Sequence, residues 1–230
     1  MNQLLTEGIV LSRTDFGEAD RILTLLTPER GKLRLVAKGA RRVKSKLAGG
    51  IELFSISDIT YITGRGELGT LISARMKQHY GKIIVDISRV QLAYDLIKTI
   101  NTATEDHPEP DYFYLLKAGL AAVDDLTIDA DLIRLWFQSQ LLKLGGHPPN
   151  LQSDMQGSQL QSGNKYTFDY DQMCFANHPA GTFTADEIKG LRLLFSNHDI
   201  SSLHKVNGLA EQLPGIAPLI RAMLTSYIRV

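Results

Sequence analysis

Between Arg30 and Lys46 the chain places eight cations and no anion: Arg30, Lys32, Arg34, Lys38, Arg41, Arg42, Lys44 and Lys46. Like charges at that density repel one another unless an extended anion lies against them. A phosphate backbone is the natural counterpart. The formal net charge of the 230-residue protein is zero, so the run is a local concentration. Residues 1–80 hold 13 Lys/Arg against 8 Asp/Glu, and residues 81–230 hold 12 against 17. That asymmetry assigns polyanion binding to the first part. A rival account is a strand edge kept charged against aggregation. Alternation along Lys32–Lys38, however, sets Lys32, Arg34 and Lys38 on one face at steps of roughly 6.6 Å, with no acid in the run to neutralise them. The expected phosphate contacts are Lys32, Arg34, Lys38, Arg41, Arg42, Lys44 and Lys46, joined by Arg13 and Arg65.

Other residue types offer little chemistry. The six histidines (His79, His107, His147, His178, His198 and His204) show no metal-ligand spacing and adjoin no nucleophile motif. Gly64-Arg65-Gly66-Glu67-Leu68-Gly69 matches the G-x-G-x-x-G pattern, but it lies between two strands with no helix after it and reads as a hairpin turn. No Walker lysine motif is present. Asp124-Asp125 sits at a helix end, where solvation is the ordinary fate of an acid pair. The expectation is a protein that is not an enzyme. The single cysteine, Cys174, excludes an internal disulfide framework and fits a reducing cytoplasm. No stretch approaches the roughly 20 apolar residues of a membrane span, and Met1–Thr14 has no secretory pattern. Only Phe16, Phe54, Tyr61 and Tyr80 supply aromatic rings in the first 80 residues, with Phe54 expected in the core. So few rings favour a grip on backbone that leaves base edges free for pairing.

The elements that must position the cations are strands. Gly8–Ser12, Arg21–Thr27, Lys32–Lys38, Ile51–Thr63 and Glu67–Lys77 carry apolar or alternating patterns separated by Gly, Pro and polar turns. Five strands in about 80 residues suit a small closed barrel such as an OB-fold. From Ser88 the period becomes helical: Val90, Ala93, Ile97 and Ile100 form one stripe that Leu92 and Leu96 widen. Helices follow at Asp111–Leu126 and Asp129–Leu144, the latter capped by Asp129 and stopped by Gly145-Gly146 and Pro148-Pro149. Residues 147–182 lose that period and contain one hairpin candidate, Tyr166–Phe175. Thr184-Ala185-Asp186-Glu187 is a capping box opening another helix. A short segment near Ser201–Val206 and a last helix over Ile216–Ile228 complete an α+β chain: a barrel over 1–80, then a helical domain over 81–230 with its insert at about 147–182.

Several segments stand in a set order and spacing: Gly8-Ile9-Val10-Leu11, Asp15-Phe16-Gly17-Glu18-Ala19-Asp20-Arg21-Ile22-Leu23, Leu26-Thr27-Pro28-Glu29-Arg30-Gly31-Lys32, Val36-Ala37-Lys38-Gly39-Ala40-Arg41-Arg42, Lys44-Ser45-Lys46-Leu47 and Glu52-Leu53-Phe54. This set resembles the N-terminal domain of the bacterial RecO family of DNA repair proteins, over about the first 75 residues. The resemblance implies an OB-fold followed by a helical domain, and binding of single- and double-stranded DNA. It further implies annealing of complementary strands, help in loading recombinase, and a cytoplasmic, nucleoid-associated location. Its implied partners are RecR and the acidic, aromatic C-terminal tail of single-stranded-DNA-binding protein. The tail is expected on an apolar pocket of the helical domain rimmed by cations, with Arg134, Lys143, Lys117 and Arg192 as candidates; Trp136 is expected in the core. Members of that family often hold zinc through two C-x-x-C pairs. Here Leu151–Gly157 and Cys174–Asn177 occupy those places, and of the ligands only Cys174 remains. His147, Asp154 and His178 give no recognised spacing with it. A zinc-free, finger-like hairpin packed by Tyr166, Phe168 and Phe175 is expected, with no cofactor. The alternatives are an RNA-binding barrel, or a protein-interaction module whose basic strand docks an acidic partner.

Overall fold

The computed structural model describes residues 3–64, 66–105 and 108–228. Five strands, β1 (Leu4–Phe16), β2 (Asp20–Thr27), β3 (Gly31–Ala37), β4 (Ser55–Ile62) and β5 (Leu68–His79), close into a barrel in the order β1-β2-β3-β5-β4. All neighbours are antiparallel except β3 and β5, which run parallel. This is the connectivity of an OB-fold. Alternate residues fill the interior: Val10, Leu23, Leu25, Leu35, Ala37, Ile59, Tyr61 and Leu71. Each large aliphatic side chain buried there contributes about 1.5–3 kcal/mol.

The barrel strands differ from their sequence expectation: β1 starts at Leu4 rather than Gly8, pairing there with β4, and two further differences bear on the site. β1 and β2 reach into the polar stretch at Asp15–Asp20, leaving only Gly17–Ala19 as the turn, so this hairpin projects past the apolar core. Ile51–Phe54, expected as the start of the fourth strand, is not in the ladder. Phe54 sits at φ 58°, a left-handed conformation that breaks strand geometry, and β4 begins after it.

Residues 1–125 form one compact unit, so α1 (Ile87–Ala103) and α2 (Pro110–Asp124) pack with the barrel. The Asp86 carboxylate caps α1 by accepting from the Ser88 N–H. Leu92, Ala93, Leu96, Ile97 and Ile100 face inward as the spacing predicts, whereas Val90 is only half-buried and Arg89 is buried. The Arg89 guanidinium donates to the Val123 and Asp125 carbonyls, satisfying acceptors that the end of α2 leaves open. Phe54 is buried edge-on against Tyr94 of α1, 5.2 Å between centroids.

Residues 126–230 form the second compact unit. It holds α3 (Ala130–Leu144), β6 (Asn150–Asp154), β7 (Tyr166–Asp169), β8 (Cys174–Asn177), α4 (Ala185–Leu194), α5 (Ile200–Leu203) and α6 (Leu209–Tyr227). Asp129 caps α3 through the Leu132 N–H, and the Thr184–Glu187 box caps α4. Trp136 is buried in α3. The insert is more than a hairpin: β7 pairs antiparallel with β8, and β6 adds in parallel on its other side. Its core is Phe175, whose ring lies 5.1 Å from Phe168, 5.4 Å from Phe183 and 6.4 Å from Tyr166. The last helix begins at Leu209, not Ile216, and runs through Pro214 and Pro218. Each proline removes a helix N–H and is locally unfavourable. Burial of Leu209, Leu213, Ile216, Leu219, Ile220 and Met223 against the rest of the unit outweighs that cost. Among the described residues, no helix is long and apolar enough to cross a membrane.

Candidate nucleic-acid interface

The chain between β3 and β4 carries most of the cations, and its apolar residues determine how they are displayed. Ala40 and Ile51 are buried in the barrel core, with Leu47 and Leu53 packed against it. Gly50 closes the approach: a Cβ there would stand 2.2 Å from the Ala74 carbonyl oxygen of β5, so only glycine lets the loop seat on the strand. With Ala40 and Ile51 turned into the barrel, Lys38, Arg41, Arg42, Lys44 and Lys46 are exposed, as is Val43 among them. Among the described residues, Lys38, Arg42, Lys44 and Lys46 make no ion pair.

The loop is also tied to the β1–β2 turn. The Gly39 N–H donates to Asp20 Oδ1 at 2.7 Å, and the Arg41 N–H to the Ala19 carbonyl at 2.9 Å. Arg41 reaches the Gly17 carbonyl and, at 3.4 Å, Asp15. Asp15 also accepts from Arg21 at 3.0 Å, so one carboxylate holds two guanidiniums. The role of Asp15 has no local signal in the sequence, because its partners lie on β2 and beyond β3.

The remaining predicted contacts are placed differently. The Lys32 ammonium donates to the Asn101 and Thr104 carbonyls at 2.7 and 2.6 Å. It caps the C-terminal end of α1, where a cation is favoured by the helix dipole. Arg34 is exposed and stands 4.0 Å from Glu67. Arg13 donates to Glu52 at 3.0 Å and to the Ile51 carbonyl at 3.4 Å, pinning the far end of the basic loop. Arg65 lies outside the described residues. The expected outward row of Lys32, Arg34 and Lys38 therefore keeps Arg34 and Lys38 for solvent and gives Lys32 to the helix.

In the second unit, Asp129, Asp131, Arg134, Leu135 and Gln138 of the α3 region face Ala210, Leu213, Pro214, Ala217 and Arg221 of α6 across a groove of about 370 Å³. Its floor is apolar, and its polar lining balances Arg134 and Arg221 against Asp129 and Asp131. Of the four cations expected at a partner pocket, only Arg134 lines this groove. Lys143 donates to the Asn197 side chain, and Arg192 donates to the Leu151 carbonyl at 2.8 Å. Lys117 is on α2 in the first unit, 3.9 Å from Glu7. Arg221 was missed, although it continues the spacing of Ala210, Leu213, Pro214 and Ala217 along one helix face.

Of the cysteines through which the family often holds zinc, the insert carries Cys174 alone. Among the described residues, no three His, Cys, Asp or Glu side chains converge as metal ligands. Cys174 is buried, and burial pushes its thiol pKa up. Asp154 Oδ1 accepts the Gln156 and Ser158 N–H groups, His178 Nδ1 accepts the Ala180 N–H, and His147 stacks on Tyr227. With a single thiol, and with Asp154 Oδ1 and His178 Nδ1 already accepting backbone N–H groups, the described residues do not assemble a tetrahedral Cys/His site.

Comparison with known proteins bears on the whole chain. A protein from Alkaliphilus metalliredigens named DNA repair protein RecO is 28% identical over 233 residues, 98% of this chain and 92% of its own length. One of the same name from Thermoanaerobacter sp. is 28% identical over 243 residues, 100% of this chain and 94% of the relative. Its namesake from Desulfatibacillum aliphaticivorans is 32% identical over 154 residues, where the chain spans 60% of the relative's length. The family model described as Recombination protein O N terminal matches residues 1–80, the extent of the barrel, and Recombination protein O C terminal matches residues 86–229. With both models matched in order along one chain, the protein belongs to the recombination protein O (RecO) family.

Proposed function

We propose that this protein is a DNA-binding recombination mediator in DNA repair, acting without catalysis or cofactor in the cytoplasm near the nucleoid. The observation that carries the reading is the cationic loop seated on an OB-fold barrel, with Lys38, Arg42, Lys44 and Lys46 exposed and unpaired among the described residues. OB-folds bind oligonucleotides through their strand 2–3 face and adjoining loops, and cations facing solvent gain affinity by releasing counterions from phosphates. Neutralising two complementary strands near one another, with their bases exposed, is what annealing requires. RecR is the family's implied protein partner. The acidic, aromatic tail of single-stranded-DNA-binding protein is the family's implied second partner, and the α3–α6 groove offers it an apolar floor with Arg134 and Arg221 as anchors beside the carboxylates of Asp129 and Asp131. With the protein-coated strand held at the groove and bare DNA at the barrel, the molecule would assist recombinase loading.

The test is an annealing assay with complementary oligonucleotides, with and without single-stranded-DNA-binding protein. The wild type is compared with a variant carrying Lys38→Ala, Arg41→Ala and Arg42→Ala. Acceleration by the wild type, with at least a ten-fold loss of DNA affinity in the variant, is the expected result. These side chains are exposed, so cooperative unfolding is expected to persist. A variant that folds and retains its affinity refutes the reading.

A further inference from the structure

Phe16 stands at the end of β1, beside the loops that carry the cations. The other three barrel-region aromatics, Phe54, Tyr61 and Tyr80, are at most 5% exposed, whereas Phe16 is 51% exposed. A lone exposed ring is ordinary on a protein surface. What gives this one meaning is how it comes to face outward.

β1 and β2 pair in register from Ile9↔Leu26 to Val10↔Leu25, then shift, so that Ser12 faces Thr24, Thr14 faces Ile22 and Phe16 faces Asp20. The extra residue is Leu11, and an offset of one residue moves every following side chain to the opposite face. Val10, Leu23 and Leu25 are core residues; beyond the bulge, Ser12, Thr14 and Phe16 share the outer face with Thr24, Ile22 and Asp20. The inner positions at this end belong to Arg13 and Asp15, consistent with their bonds to Ile51, Glu52 and Arg41. The bulge thus places Phe16 on the face opposite Arg13 and Asp15, at a projecting hairpin end where Asp15 is itself 55% exposed.

The same register continues across the sheet. Arg21 pairs with Ala37, Ile22 with Val36 and Thr24 with Arg34; Lys38 follows the end of β3, next to Gly39, whose N–H donates to Asp20 Oδ1. Two full rows result on the outer face, Thr14–Ile22–Val36 and Ser12–Thr24–Arg34, with Phe16 paired to Asp20 at the end of the ladder and Lys38 just beyond β3. Strands lie about 4.8 Å apart, so the end of β1 that carries Phe16 and the end of β3 that leads into Lys38 are separated by about 10 Å, with Arg34 farther along β3. An aromatic platform thus shares with two cations the face that OB-folds use for oligonucleotides, at the β1–β2 loop. The pairing of Arg34 with Glu67, at 4.0 Å between exposed chains, is weak enough to yield to a phosphate.

We infer that Phe16 is a stacking platform for an unpaired base of single-stranded DNA, with Lys38 and Arg34 holding the phosphates on either side. The inference rests on the DNA-binding reading above and adds a strand preference to it. Within a duplex both faces of each base are already stacked, so the ring gains a partner only from a single strand. Stacking engages the flat face of the base and leaves its pairing edge free.

The experiment uses the full-length protein, a mixed-sequence single-stranded oligodeoxynucleotide carrying 2-aminopurine, and the matching duplex. Phe16→Ala is expected to weaken single-strand binding about ten-fold, abolish the protein-induced change in 2-aminopurine fluorescence, and leave duplex affinity within two-fold. Phe16→Tyr is expected to restore both single-strand signals, as a ring platform requires. Equal losses on single strand and duplex, or no loss in Phe16→Ala, overturn the assignment. If Phe16→Ala binds normally while the Lys38/Arg41/Arg42 variant does not, stacking falls and the charge reading stands. If the wild type binds neither nucleic acid, both fall.

Discussion

The Lys32 ammonium lies 2.6 Å from the carbonyl oxygen of Thr104, and the two residues are 72 positions apart. One cation of the basic run is thereby withdrawn from solvent and joins β3 to the end of α1. Arg89 makes the corresponding link to the end of α2.

Lys32→Ala is therefore expected to cost stability and to spare DNA binding. Hydrogen bonds from a charged donor contribute about 1.5–3 kcal/mol each when measured by removal, and two share this ammonium. A loss of about 2 kcal/mol in denaturant unfolding, with single-strand affinity within two-fold of wild type, is the expected pair of results. A large affinity loss with unchanged stability would return Lys32 to the phosphate-binding set.

Asp15 restrains two guanidiniums, Arg21 at 3.0 Å and Arg41 at 3.4 Å. Its side chain is about half exposed, so these pairs contribute under about 1 kcal/mol to stability. Asp15→Asn removes the competing anion and is expected to raise single-strand affinity several-fold at low salt. Each phosphate contact recovered should steepen the plot of log affinity against log salt by about 0.7. Titration at a series of salt concentrations measures both, and a fall in affinity would show that Asp15 positions Arg41 for binding.

Tyr80 links pH to stability in the barrel unit. Its hydroxyl donates to the Lys117 carbonyl at 3.3 Å. Burial, followed by the nearby charge of Asp124, pushes its phenol from 10.0 up to about 12. The folded state therefore holds the proton between pH 10 and 12 where the unfolded chain has released it. The resulting stabilisation is complete below pH 10 and is lost as pH rises through 12, on the order of 2 kcal/mol in all. Unfolding measured from pH 9 to 12 is expected to show this loss, and Tyr80→Phe to flatten it. An identical alkaline slope in both proteins would assign the loss to other groups.

Local patterns account for much of what was legible in the sequence. The Thr184–Glu187 box, the Asp129 cap and the Gly145-Gly146 stop act within a few residues of themselves, and each stands where its spacing predicts. The alternation of Leu33, Leu35 and Ala37 is likewise a local consequence of strand geometry. Features that depend on distant partners were not legible. The left-handed Phe54 is stabilised by burial against Tyr94 on another element. The start of α6 was obscured by prolines whose local cost is offset by packing within the second unit. The Arg134–Arg221 groove exists only where α3 and α6 come together.

The amino-acid sequence by itself determined the existence of the barrel, the helical part and the basic run, because hydrophobic period, turn residues and charge density are properties of neighbouring positions. Only the tertiary structure decided which cations remain available. Lys32 went to a helix end and Arg13 to a loop anchor, whereas Lys38, Arg42, Lys44 and Lys46 stayed exposed. It also decided, through one bulged residue at Leu11, that Phe16 faces outward. The physical reason is common to both outcomes: a carbonyl left open at the end of a helix, and the register between two strands, are set by where distant segments meet.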